Sequence, residues 1–278
     1  MSVERGAPIR ALERGIEVLR LLGPQEGSSL RALHAASALH AASALPKPTL
    51  LRILHTLERG GLAWRSIEDG LWRRSQAWAA APSGNAIDPR LVEAAAPHLV
   101  ALQRTVLWPS DLLVYRDFAM EVAEGSRRLS GLALNPRYGI GYRVDILLSA
   151  PGRAWLAFCD PAERAAVIAH WRAASPPNPR TAAVLDGEID AILEETRRRG
   201  YAVRDALFGG SFEEMAGFDD GFDAIAVPIL ADDGVRGAIN LVWPRRYDLR
   251  AKVLEAHLGD LQACAAAIAA ALASPRRP

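Results

Sequence analysis

"LRALHAASALHAASALPKPTLLRILHTLERGGLAWRSIEDGLWRRS" is the sequence of residues 30–75, and it decides how the N-terminal part of the chain folds. An apolar stripe recurs at helical spacing over residues 47–59, and a Gly-Gly pair ends that helix. Two short strand patterns then flank an Asp-Gly turn. Residues 9–22 and 28–39 supply two earlier helical patterns. Three short helices followed by a small hairpin predict a winged helix-turn-helix, whose third helix enters the major groove of DNA.

The first half of this third helix and the hairpin carry residue types that bind DNA. Outward-facing side chains near the start of such a helix reach phosphates and the edges of bases. On the helix the candidates for DNA contact are Lys47, Thr49, Leu51 and Arg52, and on the hairpin they are Arg65, Arg73 and Arg74. Each arginine, taken singly, could equally be a solvated surface charge, but their convergence on one small motif favours DNA contact. Trp64 and Trp72 could pair across the hairpin, where we expect packing against the helices rather than base stacking.

Charge is distributed unevenly along the chain, although the formal net charge of its 278 residues is only +1. Residues 1–75 contain 11 Lys and Arg against 7 Asp and Glu, and the remainder contains 22 against 25. A small basic module therefore precedes a larger, slightly acidic part, which favours an anionic partner such as DNA for the first. A polar stretch that contains Pro and Gly, at residues 81–89, separates the two parts.

The larger part combines helical and strand patterns. Residues 110–126 alternate like a hairpin, and two strongly apolar strands flank the Asp-Asp-Gly turn at residues 232–234. Helical patterns lie between these hairpins, and a long amphipathic helix closes the chain. Strands grouped in one sheet with helices on its faces predict a sensor domain downstream of the DNA-binding module.

No motif indicates catalysis or a cofactor. The six histidines form no metal-like pair, and the two cysteines match no metal spacing. A phosphate-binding loop, a dinucleotide fingerprint and a nucleophile elbow are all missing from the sequence. We therefore predict no metal, no cofactor and no enzymatic activity; an enzyme that acts on a small acid is the weaker alternative. No apolar run approaches the roughly 18 residues of a membrane span, and the charged N-terminus is unlike a signal peptide, so we expect a cytoplasmic protein with no membrane partner.

Six segments together resemble the IclR family of bacterial transcriptional regulators: RALERGIEVLRLL, LPKPTLLRILHTLERGGL, RSIEDGLWRRS, APGRAWLAFC, ETRRRGYAV and DAIAVPILADDGVRGAINLV. The resemblance implies an α+β chain with a winged helix-turn-helix at residues 1–80, a linker and linker helix at 81–107, and a GAF-like α/β effector-binding domain at 108–278. It also implies a homodimer, or a dimer of dimers, that binds double-stranded operator DNA and a small organic acid. LWPSDLLVY and WLAFC are similar to the subgroup that regulates aromatic-acid catabolism of the hydroxyphenylpropionate type.

The resemblance further implies where the effector binds, since the family holds it between the sheet and the neighbouring loops. The corresponding positions in this chain are Ser149, Ala150, Pro151, Arg204, Asp205, Ala224, Asn240 and Val242. An anionic effector also needs a cationic partner, for which Arg143 and Arg204 are the candidates, although either could instead form an ion pair at the surface or between domains. Pro151 and Val242 are apolar and Trp243 is adjacent, which suits a larger, partly aromatic ligand.

The chain departs from the family pattern at three places outside the repeat in the opening segment. Pro48 stands where the family usually has Ser or Thr, so a hydroxyl contact to phosphate is missing there. Asp145 stands where the family commonly has proline, which leaves the conformation of that loop open. Residues 205–222 are longer than expected for the subgroup and could form a lid, although an ordinary surface loop is the simpler interpretation.

The hexapeptide HAASAL occurs twice in succession, at residues 34–39 and 40–45. Removing one copy restores the family's spacing, so we interpret the duplication as a six-residue insertion between the second and third helices. Continued as helix, six residues would rotate the following chain by roughly 240°. We expect Leu30 and Leu33 to stay in the core while the insert lengthens the turn, partly as helix, because closing a longer loop adds only on the order of 1 kcal/mol. Altered geometry could weaken DNA binding, which leaves a ligand-binding protein with impaired DNA binding as an alternative function.

Overall fold

The computed structural model describes residues 9–22, 27–40, 45–75, 87–130, 139–174, 179–208 and 220–273, with the backbone alone at 38–40. The chain divides into two compact units, Met1–Ala81 and Pro82–Pro278. Most of the polar stretch that separates the two parts in the sequence, up to residue 86, lies outside the described residues.

The first unit contains three helices and a two-stranded antiparallel hairpin. Its helices are α1 (Arg10–Leu21), α2 (Leu30–His40) and α3 (Lys47–Arg59), and its strands are β1 (Ala63–Arg65) and β2 (Trp72–Arg74). Ser29 stabilises the start of α2, because its Oγ accepts a hydrogen bond of 3.1 Å from the Ala32 N–H. Pro48 lies in the first turn of α3, where a missing N–H costs nothing. This order of elements confirms the helix-turn-helix with its following hairpin.

One apolar cluster fixes the position of α3. Leu50, Leu54 and Leu57 lie one helical turn apart and are buried together against the other helices and the hairpin. The other buried residues of this cluster lie on α1, just after it, on α2 and on the two strands, and they include Val18, Leu22, Leu33, Ala63 and Trp72. Full burial of one leucine contributes about 1.5–3 kcal/mol relative to exposure, so the cluster determines which face of α3 is turned outward.

The duplicated hexapeptide is accommodated at the end of α2. Leu33 is only 1% exposed, and Leu30 packs against the same core while partly buried, as expected for the arrangement that keeps both in place. The α2 backbone stays helical through the first copy and ends at His40, one residue into the second. Residues 41–44 lie outside the described part, and Leu45, the last residue of the second copy, is again buried in the core. The first copy is therefore part of α2, and Leu45 at the end of the second copy belongs to the core that supports α3.

The second unit is built around a six-stranded antiparallel sheet in the order β5-β4-β3-β8-β7-β6. Its strands are β3 (Asp111–Arg116), β4 (Ala119–Gly125), β5 (Arg143–Val144), β6 (Ala202–Val203), β7 (Phe222–Ala231) and β8 (Gly234–Pro244). Its helices are α4 (Pro89–Thr105), α5 (Ala150–Phe158), α6 (Pro161–Ala173), α7 (Pro179–Ala183), α8 (Ile189–Arg199) and α9 (Arg250–Ala273). Both predicted hairpins and the mixed α+β class are confirmed; the likeness to GAF domains stays a prediction.

Helix α5 packs closely on the sheet because the facing side chains are small. Ala150 and Ala154 of α5 lie against alanines of β7 and β8 in one buried cluster. Ser149 caps the helix, with its Oγ accepting a hydrogen bond of 3.1 Å from the Gly152 N–H. A Cβ atom at Gly152 would lie 2.2 Å from the Ile146 carbonyl oxygen, so only glycine allows this approach. These contacts hold the first turn of α5 in a fixed position over the sheet.

Asp145 organises the loop that leads into α5. Its Oδ1 accepts hydrogen bonds from the backbone N–H groups of Leu147 (2.6 Å) and Leu148 (2.9 Å), and its Oδ2 accepts one from Thr181 Oγ1 (3.1 Å). Complete burial raises the pKa of Asp145 above its ordinary value, although these hydrogen bonds oppose the shift. The carboxylate thus fixes a turn at the position where the resemblance led us to expect proline.

Among the described residues, α9 is the one helix whose length and apolar composition would allow it to cross a membrane. The expectation that no such stretch exists overlooked the alanine-rich second half of this helix. Along one side α9 packs on β7 and α4, and its buried residues are Val253, Leu261, Cys264, Ala265 and Ile268. These contacts make α9 part of the core of the second unit.

Candidate functional site

The N-terminal half of α3 presents the predicted DNA-contact side chains on the surface of the first unit. Lys47, Leu51 and Arg52 are exposed, and Thr49 is half-buried. Leu51 is 37% exposed although the preceding Leu50 is fully buried. An apolar side chain that remains exposed between two cations suits contact with a thymine methyl group beside phosphates.

The hairpin adds two exposed arginines to the same unit. Arg65 and Arg74 are exposed at the two ends of paired strands β1 and β2. Arg65 donates from Nε to the Gly70 carbonyl oxygen at 2.8 Å, and its Cζ lies 6.0 Å from the centre of the Trp72 ring. Both cations therefore remain accessible to a phosphate, and the position of Arg65 is already restricted.

Arg73 differs from the other two arginines, because it is buried within the hairpin. It is 9% exposed and makes a two-pronged contact with Asp69, at 3.1 Å to Oδ1 and 2.6 Å to Oδ2. Burial raises the pKa of Asp69, but hydrogen bonds from Arg73, the Leu71 N–H and Ser66 outweigh it, so that the pKa lies below its ordinary value. Arg73 consequently stabilises the turn of the hairpin, and we no longer count it among the DNA contacts.

The strand register also corrects the expected tryptophan pair. Trp64 lies opposite Arg73, and Trp72 lies opposite Arg65, so the two indoles occupy opposite faces of the hairpin and cannot pair. Trp72 packs into the helical core, and its ring meets His55 of α3 edge-on with centres 5.4 Å apart. Packing against the helices is thus confirmed for Trp72, while Trp64 instead lies beneath the guanidinium of Arg73, at 5.5 Å.

A cavity that is partly open to solvent lies between the sheet of the second unit and the first turn of α5. It includes seven of the nine predicted effector-binding residues: Ser149, Ala150, Pro151, Arg204, Ala224, Asn240 and Val242. These residues come from four separate segments of the chain, which the antiparallel sheet and the start of α5 bring together. Apolar walls with a few convergent polar groups are typical of sites for small organic molecules.

Arg143 and Asp205, the other two predicted residues, do not line this cavity. Arg143 is exposed on the edge strand β5 and donates from Nη2 to the carbonyl oxygens of Arg116 (3.2 Å) and Asp117 (2.8 Å). Val144, its neighbour on the strand, faces the cavity instead. Asp205 is held by Arg153 and Arg180, and although burial raises its pKa, the hydrogen bonds that it accepts bring the pKa below its ordinary value. Both predicted residues therefore support neighbouring segments.

The cavity contains further residues that sequence reasoning missed. The polar and aromatic members of this set are Asp111, Arg127, Tyr142, Phe208, Asp220 and Phe222. Trp243, expected beside the ligand, is fully buried and does not line the cavity, because it alternates with Val242 on β8. Residues 209–219 of the predicted lid lie outside the described residues, but its flanking residues Phe208 and Asp220 reach the cavity.

Two ion pairs line the cavity. Arg127 donates to Asp111 through Nε (2.7 Å) and Nη2 (2.6 Å), and both side chains are largely buried. Arg204 donates from Nη2 to Asp220 Oδ1 at 2.6 Å and to the Phe208 carbonyl oxygen at 2.8 Å. Its guanidinium also lies 4.4 Å from the centre of the Phe208 ring. The polar groups of the cavity are thus held in place by one another.

The cysteines offer no nucleophile. Cys159 and Cys264 are both buried and unpaired with each other, and burial raises the pKa of each thiol to about 12. In the described ranges, no group of three or more His, Cys, Asp or Glu side chains could hold a metal ion.

A family model matches the first unit, and solved structures resemble the whole chain. Residues 11–65 match the model of the IclR helix-turn-helix domain, and this match runs across the duplicated hexapeptide. The fold is similar to that of an IclR family transcriptional regulator from Brucella abortus, at 23% identity and a TM-score of 0.50, covering 96% of this chain and 94% of that one. It is similar to an IclR homolog from Microbacterium hydrocarbonoxydans complexed with 4-hydroxybenzoate, at 23% identity and a TM-score of 0.51, covering 94% and 98%.

IclR of Thermotoga maritima gives a third likeness, at 18% identity and a TM-score of 0.51, covering 95% of this chain and 99% of that chain. Residues 11–65 therefore belong to the IclR helix-turn-helix domain, and the whole chain has the α+β fold of IclR structures. The family model thus matches a part of the first unit, and the structural likenesses extend the similarity of fold over nearly the whole chain.

Proposed function

We propose that this chain is a ligand-responsive transcriptional regulator of the IclR family, which binds operator DNA through its first unit and a small organic effector through its second. The observation that carries the proposal is the surface of α3, where Lys47, Leu51 and Arg52 are exposed while the leucines behind them fix the helix. In functional terms residues 1–80 are the DNA-binding domain, 81–107 the linker with its helix, and 108–278 the effector-binding domain. The protein works in the cytoplasm, without a cofactor and without catalysis.

Recognition of DNA would use α3 for bases and the hairpin for phosphates. Leu51 and Arg52 lie where a helix meets the floor of the major groove, and Lys47 and Thr49 lie nearer to its edge. Arg65 and Arg74 then approach the adjacent backbone. Cations that neutralise phosphates make binding strongly dependent on salt, whereas contacts to bases set the preferred sequence.

The effector would occupy the cavity at the start of α5. Tyr142, Phe208 and Phe222 provide aromatic walls, which suit an effector with an aromatic ring. The Microbacterium homolog was solved with 4-hydroxybenzoate, so an aromatic acid is the effector class that the resemblance favours, in keeping with control of aromatic-acid catabolism.

A homodimer, or a dimer of dimers, is the form in which we expect the protein to bind its operator. Ile9, Leu12 and Ile16 form an apolar stripe on α1 and are 69%, 59% and 41% exposed in the single chain. Such a stripe in a basic, charge-rich module favours a protein partner that covers it. Light scattering should give twice or four times the mass of the chain, and Ile16→Glu should reduce the mass if the stripe takes part.

Alanine substitution on α3 tests the proposal. Duplex DNA enriched from a random library by the full-length protein serves as the probe, and its affinity is measured by fluorescence anisotropy. Arg52→Ala should weaken binding at least tenfold, because the side chain would lose a base or phosphate contact. Arg59→Ala, which removes an exposed arginine at the far end of the same helix, is the matched control and should have a smaller effect. Failure to enrich any sequence, or equal effects of the two variants, would count against this mode of DNA recognition.

A further inference from the structure

The charges around the effector cavity are balanced, which bears on the kind of molecule that the cavity accepts. Its described lining residues include two arginines, Arg127 and Arg204, and two aspartates, Asp111 and Asp220, and no other ionisable side chain apart from Tyr142. Each arginine is bonded to one of the aspartates. The described part of the lining therefore has no net formal charge.

The Arg127–Asp111 pair is fully committed to the protein. Arg127 approaches both carboxylate oxygens of Asp111, and Asp111 is only 1% exposed. Asn240 joins the pair, since its Oδ1 accepts a hydrogen bond of 2.8 Å from the Asp111 N–H and its Nδ2 lies 3.5 Å from Asp111 Oδ2. A carboxylate ligand that took Arg127 away would leave Asp111 buried without its counter-charge, which is unfavourable.

The charges of Arg204 and Asp220 also neutralise each other, but not every polar atom of this pair has a hydrogen-bond partner among the described residues. Asp220 Oδ1 accepts from both Arg204 Nη2 (2.6 Å) and the Phe222 N–H (3.0 Å). Arg204 Nε is buried without a hydrogen-bond partner among the described residues. The side chains of Arg204 and Asp220 are 7% and 6% exposed, so neither is freely screened by water. This pair thus presents a donor group and an acceptor group of opposite charge side by side.

We propose that the effector carries no net charge at neutral pH and joins an aromatic or apolar body to a group that both donates and accepts hydrogen bonds, as an amide, a phenol or the zwitterionic end of an amino acid does. A carboxylate without its own cation would lose its hydration and gain no unpaired cation in exchange. An uncharged group loses far less hydration and can satisfy both partners of the Arg204–Asp220 pair, and a zwitterionic end offers its own carboxylate to the arginine and its own ammonium to the aspartate. This inference rests on the proposed function, in that the cavity must be the effector site. It keeps the aromatic body favoured by the resemblance and replaces the carboxylate expected there by an uncharged or zwitterionic group.

Matched ligands test the inference on the full-length protein. Isothermal titration calorimetry would compare benzoate with benzamide, 4-hydroxybenzoate with 4-hydroxybenzamide, and phenylacetate with phenylacetamide and phenylalanine. We expect the uncharged or zwitterionic member of at least one series to bind tenfold or more tightly than its carboxylate. Tighter binding of the carboxylate in every series that binds would overturn the inference while leaving the effector cavity intact. Absence of binding in all series would overturn both the cavity assignment and the inference.

Two aspartate-to-asparagine variants add a test of the cause. Asp220→Asn leaves Arg204 without its counter-charge and gives the cavity a net positive charge, so the ratio of carboxylate to amide affinity should rise at least tenfold. Asp233→Asn is the matched control, because Asp233 also pairs with an arginine, Arg236 at 2.7 Å, but does not line the cavity. Its ratio should stay at the wild-type value. An unchanged ratio in Asp220→Asn, with circular dichroism showing a folded chain, would refute the role of charge balance.

Discussion

Deletion of residues 40–45 tests how the first unit accommodates its duplicated hexapeptide. The deletion of 34–39 gives the same chain, because the two copies are identical. In the native chain the core contains Leu33 and Leu45, which are separated by the end of α2 and the turn. In the shortened chain Leu39 directly precedes Pro46, with the same five residues before it as Leu45 has now. We expect Leu39 to take the buried position of Leu45, and α3 to keep its contacts with the core.

The expected change in stability is small. The chain between the two buried leucines would shorten from 12 to 6 positions. Even if all of it were flexible, halving its length would change its closure free energy by only about 0.6 kcal/mol. Loss of a few helical residues at the end of α2 offsets part of this gain. The free energy of unfolding should therefore change by less than about 1 kcal/mol, whereas Leu45→Ala, a true loss from the core, should cost about 2–5 kcal/mol.

Urea denaturation and DNA binding measure the two consequences separately. Because α3 is supported by the same leucines in both chains, we expect the affinity for the enriched duplex to agree within about threefold, which is less than roughly 1 kcal/mol. A fall of more than about 2 kcal/mol in the free energy of unfolding on deletion would show that the second copy makes stabilising contacts other than the burial of Leu45. A rise in affinity of tenfold or more on deletion would refute the reasoning and favour the alternative, a ligand-binding protein in which the insert impairs DNA binding.

Three further predictions concern single side chains. Leu50→Ala should lower the free energy of unfolding by about 3–5 kcal/mol, whereas Leu51→Ala should change it by less than about 0.5 kcal/mol and yet weaken DNA binding. Similar destabilisation by the two substitutions would contradict the outward face assigned to α3. Asp69→Asn should destabilise the chain at neutral pH, because the lowered pKa of Asp69 stabilises the ionised native state. In acid denaturation the difference from wild type should begin to shrink below about pH 3.9, the unfolded-state pKa, and be lost as the pH falls through the lower native-state pKa; a constant difference down to about pH 2 would be inconsistent with this. Gly152→Ala should cost about 1–3 kcal/mol and weaken ligand binding, since the new Cβ would meet a backbone oxygen; an unchanged Tm would exclude this clash.

The parts of the fold that sequence predicted are those specified by local patterns. The leucine spacing of α3, the Asp-Gly turn of the hairpin and the Asp-Asp-Gly turn between β7 and β8 each depend on a few consecutive residues, and each is found as expected. Strand register is not local in this way. Moving a strand by one position exchanges its faces, which is why the proposed Trp64–Trp72 pair was wrong.

The cavity residues likewise divide into those that a continuous motif locates and those that only the folded chain brings together. Its residues at the start of α5 and on β8 could be located from family motifs, because each motif is a continuous segment. Arg127 and Asp220 could not, since only the sheet and the turns that follow it bring them beside Asp111 and Arg204. Arg143 was predicted to line the cavity, but side chains alternate along β5, so that Val144 lines it instead. A count of charges on both sides of the predicted hairpin 110–126 would have drawn attention to Asp111 and Arg127.

The central claim is that the first unit recognises a particular DNA sequence. Its most direct test is the ratio of two dissociation constants for the full-length protein at about 0.15 M salt: that for the enriched duplex and that for a scrambled duplex of the same composition. We predict that the enriched duplex binds at least about 10³-fold more tightly, the lower end of the range for sequence-specific regulators. Equal affinity for the two duplexes would contradict it.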